Sequence, residues 1–402
     1  MAEAAAGTQW TRVRVGTGGG WRRWTALAAA CLLGACQTLV PRGAADRPQR
    51  PAPVTPSTQA TNESGIPRDA ARNRVALLVP VSGRDGAVGR SLANATQLAL
   101  LDTGNEKVRI TTYDTAAGAA AAARRAVAEG AELILGPLLA EDVRAVAPVA
   151  HAAGVPVIGF SNDTAVAGGG VYLMAPLPAA SIERVVGYAR GRGITTFGGL
   201  MPAGVYGERS STAFLRAVEA GGGKVTALET YPAGASGAAA ARLASKAPFG
   251  AVLIADGSRV AALIAPGLRK GSPGVHVLGT DRWNSEPGLR SQAALTGAWF
   301  ASVPNGLYQQ FVAKYRARFG EDPFRLSSLG YDAVLLTVRI ARDWPVGQRF
   351  PEAKLRDAGG FSGLDGAFRF GRDGLADRGL EVQEVRGGSI VTVSPAPAGF
   401  GR

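Results

Sequence analysis

Short runs of apolar and β-branched residues recur from residue 74 onward and alternate with longer, helix-like stretches. The strand-like runs are 75–79, 108–113, 133–135, 155–158, 197–200, 224–228, 251–254 and 275–278. The helix-like stretches are 116–129, 141–153, 181–192, 206–220 and 258–268. Near-continuous apolar strands that alternate with helices predict parallel sheets covered by helices on both faces. These strands suit one barrel or two open sheets, and the break near 180–195 with helix-rich sequence after 304 favours two lobes.

The first 73 residues follow a different pattern. A cationic stretch, 21–24, precedes an apolar run at 25–35 that is too short to span a bilayer and is typical of a signal peptide. Residues 33–36, Leu-Gly-Ala-Cys, resemble a bacterial lipobox, which implies that 1–35 is removed and that Cys36 is acylated. A plain secretory signal with an incidental cysteine is the alternative. Residues 36–73 are rich in proline and poor in aliphatic side chains, so we expect a disordered tether.

Composition narrows the possible functions. The 402 residues are 46% hydrophobic and 19% charged, which is enough apolar sequence for a folded core. The net charge of +13 is scattered, without a basic run, so we predict no nucleic-acid partner. With two histidines and two cysteines, neither a structural zinc site nor a disulfide scaffold is expected. We predict no metal site and no cofactor.

Glycine-rich polar loops follow several predicted strands, at 80–83, 136–138, 159–162 and 279–281. In open α/β sheets, ligands bind at the carboxyl ends of the strands, where backbone amides and helix N-termini are available. Each loop taken alone also fits ordinary strand-to-helix turn chemistry. Their recurrence favours a binding cleft between two lobes.

Several short motifs occur along the chain in an order that is typical of one protein family. They are Pro-Val-Ser-Gly at 80–83, Leu-Gly-Pro at 135–137, Gly-Phe-Ser-Asn at 159–162, Tyr-Gly at 206–207, Gly-Thr-Asp at 279–281, Gly-Tyr-Asp-Ala at 330–333 and the closing run 361–370. In this order they resemble the type I periplasmic-binding fold of the leucine/isoleucine/valine-binding proteins, over roughly 74–395. The resemblance implies two lobes, each a mostly parallel sheet flanked by helices. It assigns 74–180 with 303–360 to lobe 1, 181–302 with 361–395 to lobe 2, and 396–402 to a flexible tail.

The resemblance also implies ligand-binding residues. Ser161 would donate a hydroxyl, with Asn162 beside it, while Tyr206 would form a wall of the cleft and Asp281 would meet a ligand ammonium group. Ser82 would contribute from the first loop. One loop departs from amino-acid binders, since 138–140 reads Leu-Leu-Ala where a serine is common. Losing a carboxylate partner is costly, so the binding of a free amino acid is in doubt. A structural role for Asp281 is an alternative of equal weight, in which its side chain faces Arg282 or caps a helix.

The closing run has a structural logic of its own. Phe361, Phe368 and Phe370 can pack together, while glycines at 363 and 366 permit turns. Residues 371–374, Gly-Arg-Asp-Gly, predict a hairpin turn between 368–370 and a late strand around 380–385.

Catalysis is not expected. The chain has no Gly-x-Ser-x-Gly elbow, no phosphate-binding loop and no Ser-x-x-Lys signature. We therefore predict a non-catalytic, lipid-anchored binding module in the periplasm, held at the inner leaflet of the outer membrane because Gln37 follows the cysteine. The favoured interpretation resembles the penicillin-binding protein activators, with a peptidoglycan synthase as partner. The alternative is the substrate-binding component of an ABC importer, with a permease as partner and an amino-acid-like or amide ligand.

Overall fold

The predicted alternation builds two large sheets and a small third one. The computed structural model describes residues 71–246 and 248–400, so the predicted signal peptide, Cys36 and most of the tether lie outside it. Within the described residues the strands are β1 (Asn73–Val79), β2 (Val108–Asp114), β3 (Leu133–Leu135), β4 (Val157–Gly159), β5 (Val171–Leu173), β6 (Thr196–Pro202), β7 (Lys224–Tyr231), β8 (Ala251–Ile254), β9 (His276–Gly279), β10 (Trp299–Ser302), β11 (Phe361–Gly363), β12 (Gly366–Phe370), β13 (Ala376–Arg378), β14 (Glu381–Arg386) and β15 (Ser389–Ser394). The helices are α1 (Gly86–Thr103), α2 (Ala119–Ala128), α3 (Ala140–Ala153), α4 (Pro178–Gly191), α5 (Val205–Ala220), α6 (Ser236–Ala244), α7 (Ser258–Gly271), α8 (Gly306–Phe319) and α9 (Ser327–Ala341).

The first sheet is parallel throughout and has the strand order β2-β1-β3-β4-β5. One face packs its Leu77 against aromatic residues of α8 such as Phe311, in a core shared with α1 and α9. The other face packs Leu78 against α2 and α3, where Val143 and Val146 are buried. Both faces are covered, which explains why β1 is apolar at every position from Val75 to Val79 rather than at alternate ones.

The second sheet has the order β15-β14-β10-β9-β8-β6-β7. Its strands from β6 to β10 pair in parallel, and β14 and β15 extend it as an antiparallel hairpin. Trp283 and Phe300 lie in the core on one face, and Phe197 and Phe214 lie in the core on the other. The two-lobed α/β fold predicted from the sequence is confirmed.

The closing run divides between the two lobes. Strands β11, β12 and β13 form a three-stranded antiparallel sheet whose Phe361, Phe368 and Phe370 belong to the core of the first sheet. Residues 361–378 therefore pack in lobe 1, whereas the sequence analysis placed them in lobe 2. The turn at 371–374 joins β12 to β13, and the late strand β14 lies in the second sheet instead of pairing with β12. The phenylalanines decide this placement, because their partners are apolar residues of the first lobe.

A tight approach of helix to strand end recurs in both lobes. A Cβ on Gly89 in α1 would lie 1.7 Å from the carbonyl oxygen of Pro80, directly after β1. A Cβ on Gly207 in α5 would lie 1.6 Å from the carbonyl oxygen of Pro202, at the end of β6. Glycine at each position lets the helix sit against the end of the strand that leads into it.

The chain passes between the two sheets three times. The passages lie between β5 and α4, between β10 and α8, and between β13 and β14. Residues of the first two passages, Ala175, Pro176 and Val303, line a cavity at the carboxyl ends of the parallel strands. Among the helices that the structure describes, none is long and apolar enough to cross a membrane.

Candidate functional site

A cavity of about 440 Å³ lies in the cleft between the lobes. Lobe 1 supplies the loops after β3 and β4, and lobe 2 supplies the short 3-10 helix Asp281–Ser285 after β9. Both sets of residues follow parallel strands at their carboxyl ends, which is where open α/β sheets bind ligands. The cavity has the size range of small-molecule sites.

Asp281 is a polar residue of lobe 2 that has a buried, unpartnered oxygen and lines the cavity. Its backbone N–H donates to Ser181 Oγ at 2.8 Å, and that hydroxyl donates to the Ala301 carbonyl at 2.7 Å, which fixes the start of the short helix. Its Oδ1 is buried without a hydrogen-bond partner among the described residues. Burial raises the pKa of Asp281 to about 6 because the charged form loses its hydration.

The structural alternatives for Asp281 are present in part, because the backbone N–H groups of Asp281 and Arg282 and the charge of Arg282 all favour its ionised carboxylate. The guanidinium carbon of Arg282 lies 4.8 Å from the centroid of the Tyr206 ring, so this arginine stacks on the tyrosine. The residue before the short helix is Thr280, and no side-chain cap is formed there. Asp281 lines the cavity, and its Oδ1 has no hydrogen-bond partner among the described residues.

Ser161 and Asn162 line the same cavity from the loop after β4. Ser161 is 6% exposed, and its Oγ accepts a hydrogen bond from the Asp163 N–H at 3.1 Å, which leaves the hydroxyl proton for another acceptor. The loop 138–140 lines the cavity as well and presents only apolar side chains. The structure thus brings Ser161, Asn162 and Asp281 together.

Tyr206 and Ser82 lie elsewhere. Tyr206 lines a second cavity of about 590 Å³ farther along the cleft, and its hydroxyl is 3.1 Å from Thr280 Oγ1. The Ser82 hydroxyl donates to Asp114 Oδ2 at 2.5 Å, and Ser82 is absent from the residues that line either cavity. The Pro-Val-Ser-Gly turn after β1 is therefore closed by Asp114, which also accepts from the Val81 N–H at 3.0 Å.

Asp163 joins the two lobes across the cleft, a role that the sequence analysis missed. Its Oδ1 lies 2.7 Å from an Nη2 of Arg209 on α5, and its Oδ2 lies 2.7 Å from an Nη2 of Arg144 on α3. Asp163 lines both cavities, and we call the first the inner cavity and the second the outer cavity. The sequence shows only three scattered charges, because the fold alone brings Arg144 and Arg209 to Asp163.

The floor of the inner cavity carries an ion pair of lobe 1 that was also missed. Arg325 and Asp365 are 2.8 Å apart, with side-chain exposures of 11% and 2%. Ser328 Oγ donates to Asp365 Oδ2 at 2.7 Å, and the Arg325 guanidinium stands 4.0 Å from the Tyr308 ring centroid. The two charges are paired within the lobe, but Arg325 Nε, Arg325 Nη2 and Asp365 Oδ1 are buried without a hydrogen-bond partner among the described residues.

A second buried pair lies behind the floor. Arg378 donates from Nε to the Met174 carbonyl at 2.8 Å and has Nη1 3.8 Å from Asp332 Oδ2. Asp332 accepts from the Leu364 N–H at 2.6 Å. Burial first, and then the neighbouring Asp365, raise the pKa of Asp332 to about 7. Within the described ranges, no group of three or more potential ligand side chains is placed to hold a metal ion.

Comparison with known proteins agrees with this geometry. A family model described as a periplasmic binding protein matches residues 73–389. The fold is similar to that of a putative branched-chain amino acid ABC transporter protein from Rhodospirillum rubrum, with a TM-score of 0.72 and 22% identity over 80% of this chain and 100% of that one. It is also similar to a leucine binding protein from Thermotoga maritima, with a TM-score of 0.61 and 23% identity over 81% of this chain and 98% of that one.

A curated relative matches a smaller part of this chain. An uncharacterized protein of Rickettsia prowazekii (strain Madrid E) is 27% identical over 160 residues, which are 39% of this chain and 43% of that protein. The match thus spans less than half the length of that relative. The similarity to the solved structures shows the fold, and the family model covers most of the sequence. The chain belongs to the periplasmic binding protein family.

Proposed function

We propose that this protein is an extracytoplasmic solute-binding component that captures a small ligand between its lobes and presents it to an ABC permease. The observation that carries the proposal is the inner cavity, which both lobes line and in which Asp281 has an unpartnered buried oxygen. A buried carboxylate without a partner is costly and is expected where a ligand supplies the missing contact. Ser161, Asn162 and Asp281 are the proposed ligand-binding residues, and the protein releases its ligand unchanged.

Relatives support the importer role. The Rhodospirillum rubrum structure is described as part of an ABC transporter, and the Thermotoga maritima structure as a leucine binding protein. A thermal-shift screen of amino acids, amides and amines on the full chain tests the binding step. A ligand at 100 times its Kd should raise the free energy of unfolding by about 2.7 kcal/mol. Deletion of the gene should abolish high-affinity uptake of that ligand, and unchanged uptake would contradict the importer role.

A second candidate function is regulation of a peptidoglycan synthase by a protein similar to the penicillin-binding protein activators. It is favoured by the apolar loop 138–140, which gives a ligand carboxylate no side-chain partner in the cavity. Chemical crosslinking in whole cells separates the two candidates. Recovery of a synthase supports regulation, and recovery of a permease supports import.

Attachment to the membrane is a separate proposal. A diacylated and N-acylated Cys36 would hold the protein stably, since two or more chains are needed for lasting anchorage. We propose the outer membrane as its site, with 36–73 as the stalk. Intact-mass measurement of the native protein tests this, because cleavage before Cys36 and added lipid both change the mass. A chain that still begins at Met1 would contradict it.

A further inference from the structure

We infer that the end of lobe 1 opposite the cleft docks on an anionic phospholipid bilayer, so that the cleft faces away from the membrane. This inference rests on the proposed acyl attachment at Cys36 and goes beyond the proposed binding function. It follows from the place where the chain enters lobe 1, from the charge at that end and from two exposed apolar side chains there.

The chain enters lobe 1 at the end of the first sheet that lies away from the cavity. Strand β1 begins at Asn73, beside Val108 of β2, and its seven residues span about 20 Å toward the cleft. The Asn73 side chain donates to the Trp344 carbonyl at 3.1 Å and accepts from the Gly347 N–H at 3.1 Å, so the loop after α9 lies at the same end. We call this end the base face and define it by residues 72–74, 104–109, 130–133, 154–156 and 342–349.

The base face is basic, whereas the opposite end of the same sheet is acidic. The base face carries a net charge of +3, from Arg72, Arg74, Lys107, Arg109, Arg342 and Arg349 against Glu106, Glu132 and Asp343. The loops that follow β1 to β4, residues 80–85, 114–118, 136–141 and 159–163, carry one arginine and four carboxylates. Lobe 1 is thus polarised along its sheet, and its basic end is the one that anionic lipid headgroups attract.

The lobe does not cancel this positive charge. Lys107 Nζ donates to the Arg342 carbonyl at 2.9 Å, and neither side chain forms an ion pair with another described residue. The charge of Arg349 is offset in part by Glu132. Asp343 lies 3.4 Å from Lys354, a cation outside the base face, so this carboxylate is compensated from elsewhere.

Helix dipoles account for other basic residues near this end. Basic residues are common in the last turn of a helix because they complement its partial negative charge. Arg125 in α2 and Arg339 in α9 are of this kind, and they pair with Glu129 and Asp357. The six cations of the base face lie outside the helices, on strands and in loops. Their charge is therefore largely separate from the capping of helices.

Two exposed apolar side chains accompany these charges. Val346 is 41% exposed in the loop that Asn73 holds, and Leu101, in the last turn of α1, is 52% exposed. Basic residues around exposed aliphatic side chains suit the headgroup boundary of an anionic bilayer, where the charges meet phosphate and the aliphatic groups leave water.

The position of the proposed anchor selects a bilayer as the partner of the base face. The 35 residues from 36 to 70 separate Cys36 from this end of lobe 1, and as the predicted coil they span on the order of 35 Å. An acylated Cys36 therefore keeps the base face close to lipid, which raises the local concentration of headgroups above that of any partner in solution. Docking in this way turns the cleft toward the periplasm, from which solutes arrive.

Fluorescent labels at the two ends of lobe 1 test the inference on the acylated full chain. Val346→Cys lies on the base face, and Phe324→Cys lies beside Arg325 of the cavity lining; both replace an exposed apolar residue. After the proposed processing, the introduced cysteine is the one free thiol of the chain. Each variant carries an environment-sensitive fluorophore and is anchored in vesicles of phosphatidylcholine, alone or with an equal part of phosphatidylglycerol.

The anchor holds the protein on both kinds of vesicle, so the difference between them reports docking. We expect the label at 346 to be at least about twofold brighter on the anionic vesicles, high salt to remove that gain, and the label at 324 to stay unchanged. Equal brightness of the 346 label on both vesicles, or a larger gain at 324, would overturn the inference.

A matched set of variants locates the docking surface. Lys107→Gln with Arg342→Gln and Arg349→Gln should abolish the gain at 346. Arg259→Gln with Lys270→Gln and Arg290→Gln removes the same charge from exposed positions of lobe 2 and should leave the gain intact. Equal loss in both triple variants would overturn the assignment to the base face.

Failure of the anchor is distinguishable from failure of the docking surface. The mass of the native protein decides acylation. If the chain is unacylated, its sedimentation with the same anionic vesicles replaces the fluorescence measurement. Binding that the base-face triple variant loses supports the inference, and binding that it keeps, or no binding, overturns it.

Discussion

Two buried aspartates line the same cavity, and they differ in whether their own lobe supplies an ion-pair partner. Asp365 of lobe 1 is paired with Arg325 and accepts from Ser328. Asp281 of lobe 2 keeps a buried oxygen without a partner among the described residues. Asp365 has a cation of its own lobe at 2.8 Å, whereas Asp281 forms no ion pair among the described residues. A buried charge therefore indicates a binding role when its own lobe leaves it unpaired, and a structural role when the lobe pairs it.

Breaking the ion pair of lobe 1 should have the largest effect. Asp365→Ala leaves Arg325 as a buried, unpaired cation, and we expect a loss of about 3–5 kcal/mol in the free energy of unfolding. Urea denaturation followed by circular dichroism measures it. Replacing both partners, as Arg325→Met with Asp365→Leu, should restore most of the stability because no charge is then left alone. A loss below about 1 kcal/mol in the single variant would contradict the structural role of the pair.

The glycine contacts test whether the two lobes are built alike. Gly89→Ala and Gly207→Ala each place a Cβ within 1.7 Å of a proline carbonyl oxygen, so the helix must shift. We expect each variant to lose about 1–3 kcal/mol. Gly187→Ala in α4, where a Cβ meets nothing within 4 Å, is the control and should gain about 0.5–1 kcal/mol. Urea denaturation of the three variants decides the matter, and a loss in only one lobe would show that the contacts are not equivalent.

Titration of Asp281 sharpens the comparison further. Its pKa rises from 3.8 to about 6 on folding, so between these values the folded state holds a proton that the unfolded state has released. Stability therefore falls as the pH rises through this window. Asp281→Asn removes that part of the fall and should be more stable than the wild type at pH 8, by on the order of 2 kcal/mol.

Urea denaturation of both proteins at pH 4 and pH 8 measures this difference. Burial also raises the pKa of Asp332, to about 7. Its contribution to the free energy of unfolding therefore also falls as the pH rises, and it falls equally in the variant and the wild type. The difference between variant and wild type thus isolates Asp281. A difference that is the same at both pH values would show that the Asp281 carboxylate is not the cause.

The ion pair across the cleft should have the smallest effect. The Arg209 side chain is 41% exposed and that of Asp163 is 20% exposed, so the pair contributes less than about 1 kcal/mol to holding the lobes together. Arg209→Gln should shift the population toward open molecules, seen as a larger radius of gyration in small-angle X-ray scattering. Arg216→Gln on the same helix is the control. High salt should remove the difference between wild type and Arg209→Gln, because salt screens exposed pairs.

The sequence predicted the architecture better than the site. Strands such as β1 and β8 are buried on both faces, and this produces apolar runs that can be recognised without a structure. The strands β5 and β10 were missed, since Val171–Leu173 and Trp299–Ser302 mix aromatic residues with aliphatic or small ones and form no β-branched run. Their boundaries depend on the strands beside them in the sheet, which no local pattern reveals.

The site residues divide for a similar reason. Ser161, Asn162 and Asp281 follow strands directly, so the position of the strand end predicts where they lie. Ser82 follows a strand too, but a neighbouring strand supplies Asp114, which engages its hydroxyl. Arg325 and Asp365 are 40 positions apart, just before α9 and between β11 and β12, and the packing of α9 against β11 brings them together. Pairings of this kind depend on tertiary structure.

The three passages between the lobes have a consequence for how the chain is made. A ribosome releases the sequence from its N-terminus, yet β14 and β15 of the second sheet and β11 to β13 of the first lobe all come from residues after 360. Neither half can therefore be finished while the last tenth of the protein is still being synthesised. We expect translation and completion of the tertiary structure to be separated in time, so an early stop codon near the end would leave two unfinished sheets with exposed edges instead of one intact lobe.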